Sequence, residues 1–221
     1  MNDPFSLCYN YLGDNMASAI IHLCVAKKIG EKLNILNNDL LLGSIAPDIA
    51  KVIGENKNTT HFIDVVEDIP NVNYFIKKYG QYLNNNFELG YFIHLYTDKL
   101  WYEQFDRLFL NDTIRLKDGT ILVVGANKVR EIIYNDYGNV NIDLIDKYSL
   151  NLKLFYEDII LTKTYIDEYS IEKTQLLLDK MGIIIANSKN GPTYSLDLTE
   201  IEEFIETTTD TIINVINNLQ K

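Results

Sequence analysis

Residues 87–110 carry an aromatic-rich run in which Tyr91, His94, Asp98, Trp101 and Phe105 recur at three- and four-residue steps, near one stripe of a helix. A helix of that length with such a stripe must bury it against other elements. The rest of the chain offers helical partners. Over 16–34, Ala19, Leu23, Ala26, Ile29 and Leu33 repeat the same period, with Asn15 a candidate N-cap. Asn38 or Asp39 can cap a short turn leading to Gly43-Ser44-Ile45-Ala46-Pro47-Asp48. There Pro47 disfavours helical geometry at Ala46 and fixes an irregular connection. A polar loop over 54–60 precedes His61, and 72–79 reads as a short helix ending at Gly80. Residues 113–124 differ, because Asp118-Gly119 between apolar runs predicts a β-hairpin. Helical pattern resumes near Lys128 and continues to Met181, with breaks expected near Tyr137-Gly138 and Tyr169-Ser170. A Gly/Pro/Ser-rich interruption covers 187–195. A last amphipathic helix spans about 198–219, with Thr199 and Glu202 as a capping-box pair. No repeat and no long linker divides the chain. The expectation is a mainly α, single multi-helix domain over 1–221, with a small hairpin near 113–124. Residues 1–15 form an N-terminal extension, and Met16 is an alternative translational start.

Composition removes several function classes. Fifteen Tyr and nine Phe in a 47% hydrophobic chain of 221 residues argue against disorder. A net charge of −11, with basic residues only in short pairs such as Lys27-Lys28 and Lys77-Lys78, argues against a nucleic-acid partner. Cys8 and Cys24 are too few for a disulfide framework and form no C-x-x-C motif. The opening MNDPFSLCYN lacks the charge and apolar core of a secretory signal. No apolar run approaches the roughly 18 residues of a membrane span. A cytoplasmic location is the expectation.

The chemistry gathers in the first half, which holds all three histidines: His22, His61 and His94. His94 and Asp98 lie one helical turn apart, so both side chains leave one face within reach of one ion. Gly90, a turn earlier, marks a close approach to the backbone, by a metal cluster or by another helix. His22 is flanked at i±3 and i±4 by Ser18, Ala19, Val25 and Ala26, so it faces inward. A buried imidazole needs partners for both nitrogens, and a metal on one of them is one solution. Asp48, after Pro47, either caps the helix that follows or aims into a site. His61 anchors a polar loop to the core through a hydrogen bond or a metal. Two imidazoles and two carboxylates make an N₂O₂ set suited to Zn²⁺, with Fe²⁺ or Mn²⁺ as alternatives. Tyr134, Asp136 and Tyr137 in the second half either pack or line a pocket.

The ordered set 16-MASAIIH-22, 43-GSIAPD-48, 60-THF-62 and 90-GYFIHLYTD-98 resembles the bacterial zinc-dependent phospholipase C family, with 133-IYNDY-137 similar to small clostridial-type members. The resemblance implies a mainly helical fold of the phospholipase C and P1 nuclease type. It implies a main zinc site from Asp48, His61, His94 and Asp98, and a second metal on His22 bridged by Asp98. Asp48 is implied as catalytic general base, with metal-activated water attacking the phosphorus of a phosphoester or phospholipid-like substrate. The chain departs from the secreted members in having no histidine after His94, so their third site cannot be built the same way. It also has no N-terminal tryptophan ligand. Two other readings stand beside it. One is a non-catalytic metal-binding or scaffolding protein. The other is an HD-type phosphohydrolase, which needs an adjacent His-Asp pair where His61 is followed by Phe62.

Overall fold

The structure is a computed structural model describing residues 17–63, 69–105, 112–157, 159 and 161–219. The expected N-terminal extension, Asn15 cap, Met16 start and Cys8 lie outside the described residues.

Helix α1 (Ala19–Lys32) begins where the Ser18 hydroxyl accepts the Ile21 amide at 3.3 Å, freeing the chain to turn helical at Ala19. It ends at Leu33, with Asn34 in the left-handed conformation at φ 57°. Ile20, Ile21, Leu23, Cys24, Val25, Ala26 and Ile29 are all buried, which covers the helix nearly all round and makes it central. Helix α2 (Asn38–Gly43) is capped by Asn37, whose side-chain oxygen accepts the Leu40 amide at 2.9 Å, one residue before the expected cap. A 3₁₀ turn (Ala46–Asp48) with Pro47 in its first turn leads into α3 (Ile49–Ile53). Helix α4 (Val72–Tyr79), capped by Asn71, ends at Gly80 as the sequence indicates.

Helix α5 (Asn86–Phe105) is the second central element. Its buried residues face several sides, with α1, α2, α4 and α8 packed around it. The hairpin follows: β1 (Thr113–Arg115) pairs antiparallel with β2 (Ile121–Val123). Asp118-Gly119 makes its turn, with Gly119 at φ 86° and the Asp118 carboxylate accepting the Thr120 amide at 2.9 Å.

Helix α6 (Ala126–Lys147) runs without a break through Tyr137-Gly138. Ile133, Tyr137, Val140 and Leu144 bury one continuous stripe across the glycine, and packing along that stripe outweighs the glycine's low helix propensity. Beyond it, the described residues of 148–173 are largely irregular, with two short 3₁₀ turns, where the sequence suggests more helix. The buried Glu88 fixes part of this stretch by accepting the Thr164 hydroxyl at 2.9 Å and the Tyr165 amide at 2.8 Å. Such side-chain anchoring has no period for a sequence pattern to reveal. Helix α7 (Thr174–Ala186) packs on α3, and α8 (Leu198–Leu219) lies along α1. The α8 stripe Ile201, Phe204, Ile205, Thr208, Thr209, Ile212 and Ile216 is buried at helical spacing. Asp197 rather than Thr199 supplies the start of α8, accepting the Thr199 amide at 2.8 Å. The described chain is thus mainly helical, eight α-helices with one small hairpin. No helix among the described residues is long and apolar enough to cross a membrane.

Candidate metal centre

The centre begins with two glycines. Helices α2 and α5 cross so closely that a Cβ on Gly90 would stand 2.2 Å from the Leu40 carbonyl oxygen and 2.9 Å from Gly43 Cα. A Cβ on Gly43 would meet the Phe87 carbonyl oxygen at 2.1 Å. Helix crossing, not a metal cluster, fills the space at Gly90. The crossing brings the buried Ser44 carbonyl 2.8 Å from His94 Nδ1. A carbonyl only accepts, so His94 carries a proton on Nδ1 and turns its Nε2 inward. Asp98, one turn on, presents both oxygens to the same place, Oδ2 lying 3.1 Å from His94 Nε2. Its Oδ1 accepts the Ala17 amide at 3.1 Å. His22 on α1 stacks on the His94 ring, centroids 3.8 Å apart, with its Nε2 3.1 Å from Asp98 Oδ1.

Asp48 stands at the N-cap position of α3 but makes no side-chain capping bond. The alternative of an ordinary helix cap is therefore overturned, and its carboxylate turns toward His61, Oδ1 to Nε2 3.7 Å. His61 is delivered by the turn over 57–62. Its Nδ1 lies 3.1 Å from the Thr60 hydroxyl and 3.2 Å from the Lys57 carbonyl, which leaves Nε2 to face inward. The Tyr91 hydroxyl donates to the Thr60 carbonyl at 2.6 Å. Phe62 takes a left-handed φ of 53° that a bulky side chain rarely adopts. Its ring packs edge-on against Phe75, Tyr79 and Tyr91, which holds the turn in that conformation and His61 inward.

All five sequence candidates, His22, Asp48, His61, His94 and Asp98, thus come together, each fully or almost fully buried. Their donor atoms form two overlapping groups, His22–His94–Asp98 and Asp48–His61–His94. His61 Nε2 and His94 Nε2 face each other at 3.2 Å. Two imidazole nitrogens at that distance need a proton or a cation between them. Adjoining separations are 3.1 Å and 3.7 Å from the two nitrogens to Asp98 Oδ2. Ligands about 2.0–2.2 Å from a tetrahedral ion stand roughly 3.3–3.6 Å apart, so the set fits one ion without large rearrangement. Both ring nitrogens of His22 and Asp98 Oδ2 are buried without a well-aligned hydrogen bond, His22 Nε2 and Asp98 Oδ2 being left with the 3.1 Å contacts to Asp98 Oδ1 and His94 Nε2. A bound cation would satisfy such atoms, which otherwise carry a desolvation cost of about 1–3 kcal/mol each. These buried His/Asp groups could therefore hold a metal ion.

The charge distribution agrees. Burial pulls His22 below its ordinary value, helped by His94, and pulls His61 down to about 4. Burial also opposes charge on His94, but Asp98, Asp48 and the Ser44 carbonyl overcome it and raise that group. Burial alone would raise both carboxyls. The imidazoles His22 and His94 instead hold Asp98 well below the usual carboxylate range, and Lys51 with His61 and His94 does the same for Asp48. The acids are ionised and two of the three imidazoles are neutral, the states that metal ligation needs.

Lys51, not singled out in the sequence, lies with Nζ 3.3 Å from Asp48 Oδ1, and its i,i+3 spacing from Asp48 on a helix start was the available signal. The second-half residues pack. Asp136 accepts the amides of Tyr194, Ser195 and Leu196 at 2.7–3.0 Å and so anchors the 187–196 segment to α6. Tyr137 lies buried against Trp101 and Tyr134, ring centroids 6.0 and 6.2 Å away. No protein-family model, curated protein or solved structure matches the chain.

Proposed function

We propose that the protein is a metal-dependent phosphoester hydrolase of the zinc-dependent phospholipase C type. The observation that carries this reading is the convergence of the His61 and His94 Nε2 atoms, 3.2 Å apart, with the buried carboxylates of Asp48 and Asp98 beside them. Asp48, His61, His94 and Asp98 would hold the main ion. His22 and the second oxygen of Asp98 would hold another. The N₂O₂ donor set favours zinc, with Fe²⁺ or Mn²⁺ as alternatives. A divalent ion there supplies Lewis acidity toward a phosphoryl oxygen and lowers the pKa of water to about 7. Asp48, at the solvent edge of the cluster, takes the proton of the attacking water. As the new P–O bond forms, the ester P–O bond breaks and the leaving oxygen takes up the proton that Asp48 accepted. Ser44, through its carbonyl, keeps His94 in the tautomer this arrangement needs.

The test is turnover. Metal-replete protein is assayed on phosphocholine esters, p-nitrophenyl phosphate esters and phosphodiesters. Hydrolysis of any of these that is lost on chelation and regained with metal supports the reading, and no turnover at any metal loading removes it. A second reading rests on the depth of burial: four protein donors can close a tetrahedral ion, which is the pattern of a structural site. Absorption of a Co²⁺-substituted sample separates the two. Bands that shift on adding phosphate mark an open position, and unchanged bands mark a closed one.

A further inference from the structure

The ionised cluster meets solvent at one place among the described residues. His22, His61, His94 and Asp98 have fully buried side chains, the Asp48 side chain is 5% exposed, and that of Lys51 is 31% exposed. At this edge the Lys51 ammonium is the charged group paired with Asp48. Helix geometry fixes it there, because Lys51 follows Asp48 by three residues at the start of α3, so the two side chains share a face. At 3.3 Å the two groups form an ion pair, the Lys51 side chain being 31% exposed, and a lysine ammonium sits on a flexible four-carbon stem. One divalent ion and Lys51 together exceed the charge of Asp48 and Asp98 by one positive unit. A neutral ligand gains nothing from that excess, while a phosphoryl group gains both the charge and a charge-assisted hydrogen bond. The whole chain carries a net −11 and gives an anion no attraction at long range. Local positive charge at this edge is then what selects the ligand.

We propose that Lys51 is the anion receptor of the centre. Its ammonium moves from Asp48 to a non-bridging phosphoryl oxygen of the substrate, restricting the site to phosphoester anions. The inference rests on the hydrolase reading for its substrate, but it is tested by binding and not by turnover. Metal-loaded wild-type protein, Lys51→Met (which keeps most of the stem) and Lys51→Arg are titrated with inorganic phosphate by calorimetry, and the metal content of each is measured. The expected result is equal metal in all three. The phosphate dissociation constant should rise roughly tenfold or more in Lys51→Met and be largely restored in Lys51→Arg. Lys51→Gln, a second neutral variant, should behave like Lys51→Met. Unchanged phosphate affinity in the neutral variants overturns the inference, as does absence of phosphate binding to the metal-loaded wild type. Loss of metal from the neutral variants also overturns it, since Lys51 would then serve only as counter-ion to Asp48. Failure of the hydrolase reading is a separate outcome, phosphate binding that depends on Lys51 with no ester turned over.

Discussion

At the scale of single residues, the centre depends on which nitrogen of each imidazole is bare. His94 is tied through Nδ1 to the Ser44 carbonyl and pairs through Nε2 with both Asp98 and His61, so it belongs to both donor groups. His94→Ala should therefore strip the protein of metal, and the loss of a bound ion should lower the melting temperature. Metal retained at the wild-type level would remove His94 from the ligand set. Cys24→Ala is the control. It lies on α1 near His22 but is buried in the core, so it should cost about 1 kcal/mol in stability and leave metal content unchanged. The sign of the pH dependence also follows from His94. Its pKa is raised, so in the ion-free fold its proton stabilises below the unfolded value, and that contribution is lost as pH rises through the folded one. A metal must displace this proton. The rise in melting temperature on adding Zn²⁺ should accordingly be larger at about pH 8 than at about pH 6, and an equal rise at both would contradict it.

At the scale of elements, the contact of α2 with α5 sets the distance from the Ser44 carbonyl to His94 and the direction in which the chain leaves toward Asp48. Gly90→Ala puts a methyl into the backbone of α2, so it should destabilise by about 2–3 kcal/mol or more and weaken metal binding as Ser44 is pushed away. Gly138→Ala on α6 is the counterpart. No atom lies within 4 Å of its added Cβ, and helix propensity should raise stability by about 1 kcal/mol. Denaturant melts of the two variants read both signs. These two glycines also mark what the sequence could disclose. Period and turn chemistry disclose the elements with an apolar stripe or a turn signal: α1, α4, α5, α8 and the hairpin. The same logic misplaces the caps at Asn37, Asp197 and Ser18 by one to three residues, because neighbouring polar side chains compete for one role. It also breaks α6 at Gly138, where tertiary packing decides. The irregular 148–173 stretch was not legible, since it is held by single buried groups such as Glu88 rather than by a repeating pattern. At the site, the five candidate residues were legible in type and order. Lys51 was not singled out, because its i,i+3 spacing from Asp48 gains meaning only once Asp48 is seen to turn inward.

At the scale of the whole molecule, two nearly all-round buried helices, α1 and α5, carry three of the five site residues, and the rest of the chain covers them. The centre is thus built into the core, not mounted on a loop, and its ligands lose mobility as the core forms. Preorganisation of this kind carries a cost in the absence of a cation, since two carboxylates and three imidazoles are buried together with few well-aligned hydrogen bonds among them. An ion that relieves this stress would stabilise the whole fold, so metal content and global stability should change together. Elemental analysis of the purified, unsupplemented protein, with melting before and after chelation, tests that claim most directly. The account predicts at least one divalent ion per chain, zinc foremost, and a clear fall in melting temperature once it is removed. A protein that is metal-free as isolated, takes up no divalent ion when one is supplied, and melts at the same temperature throughout would contradict it.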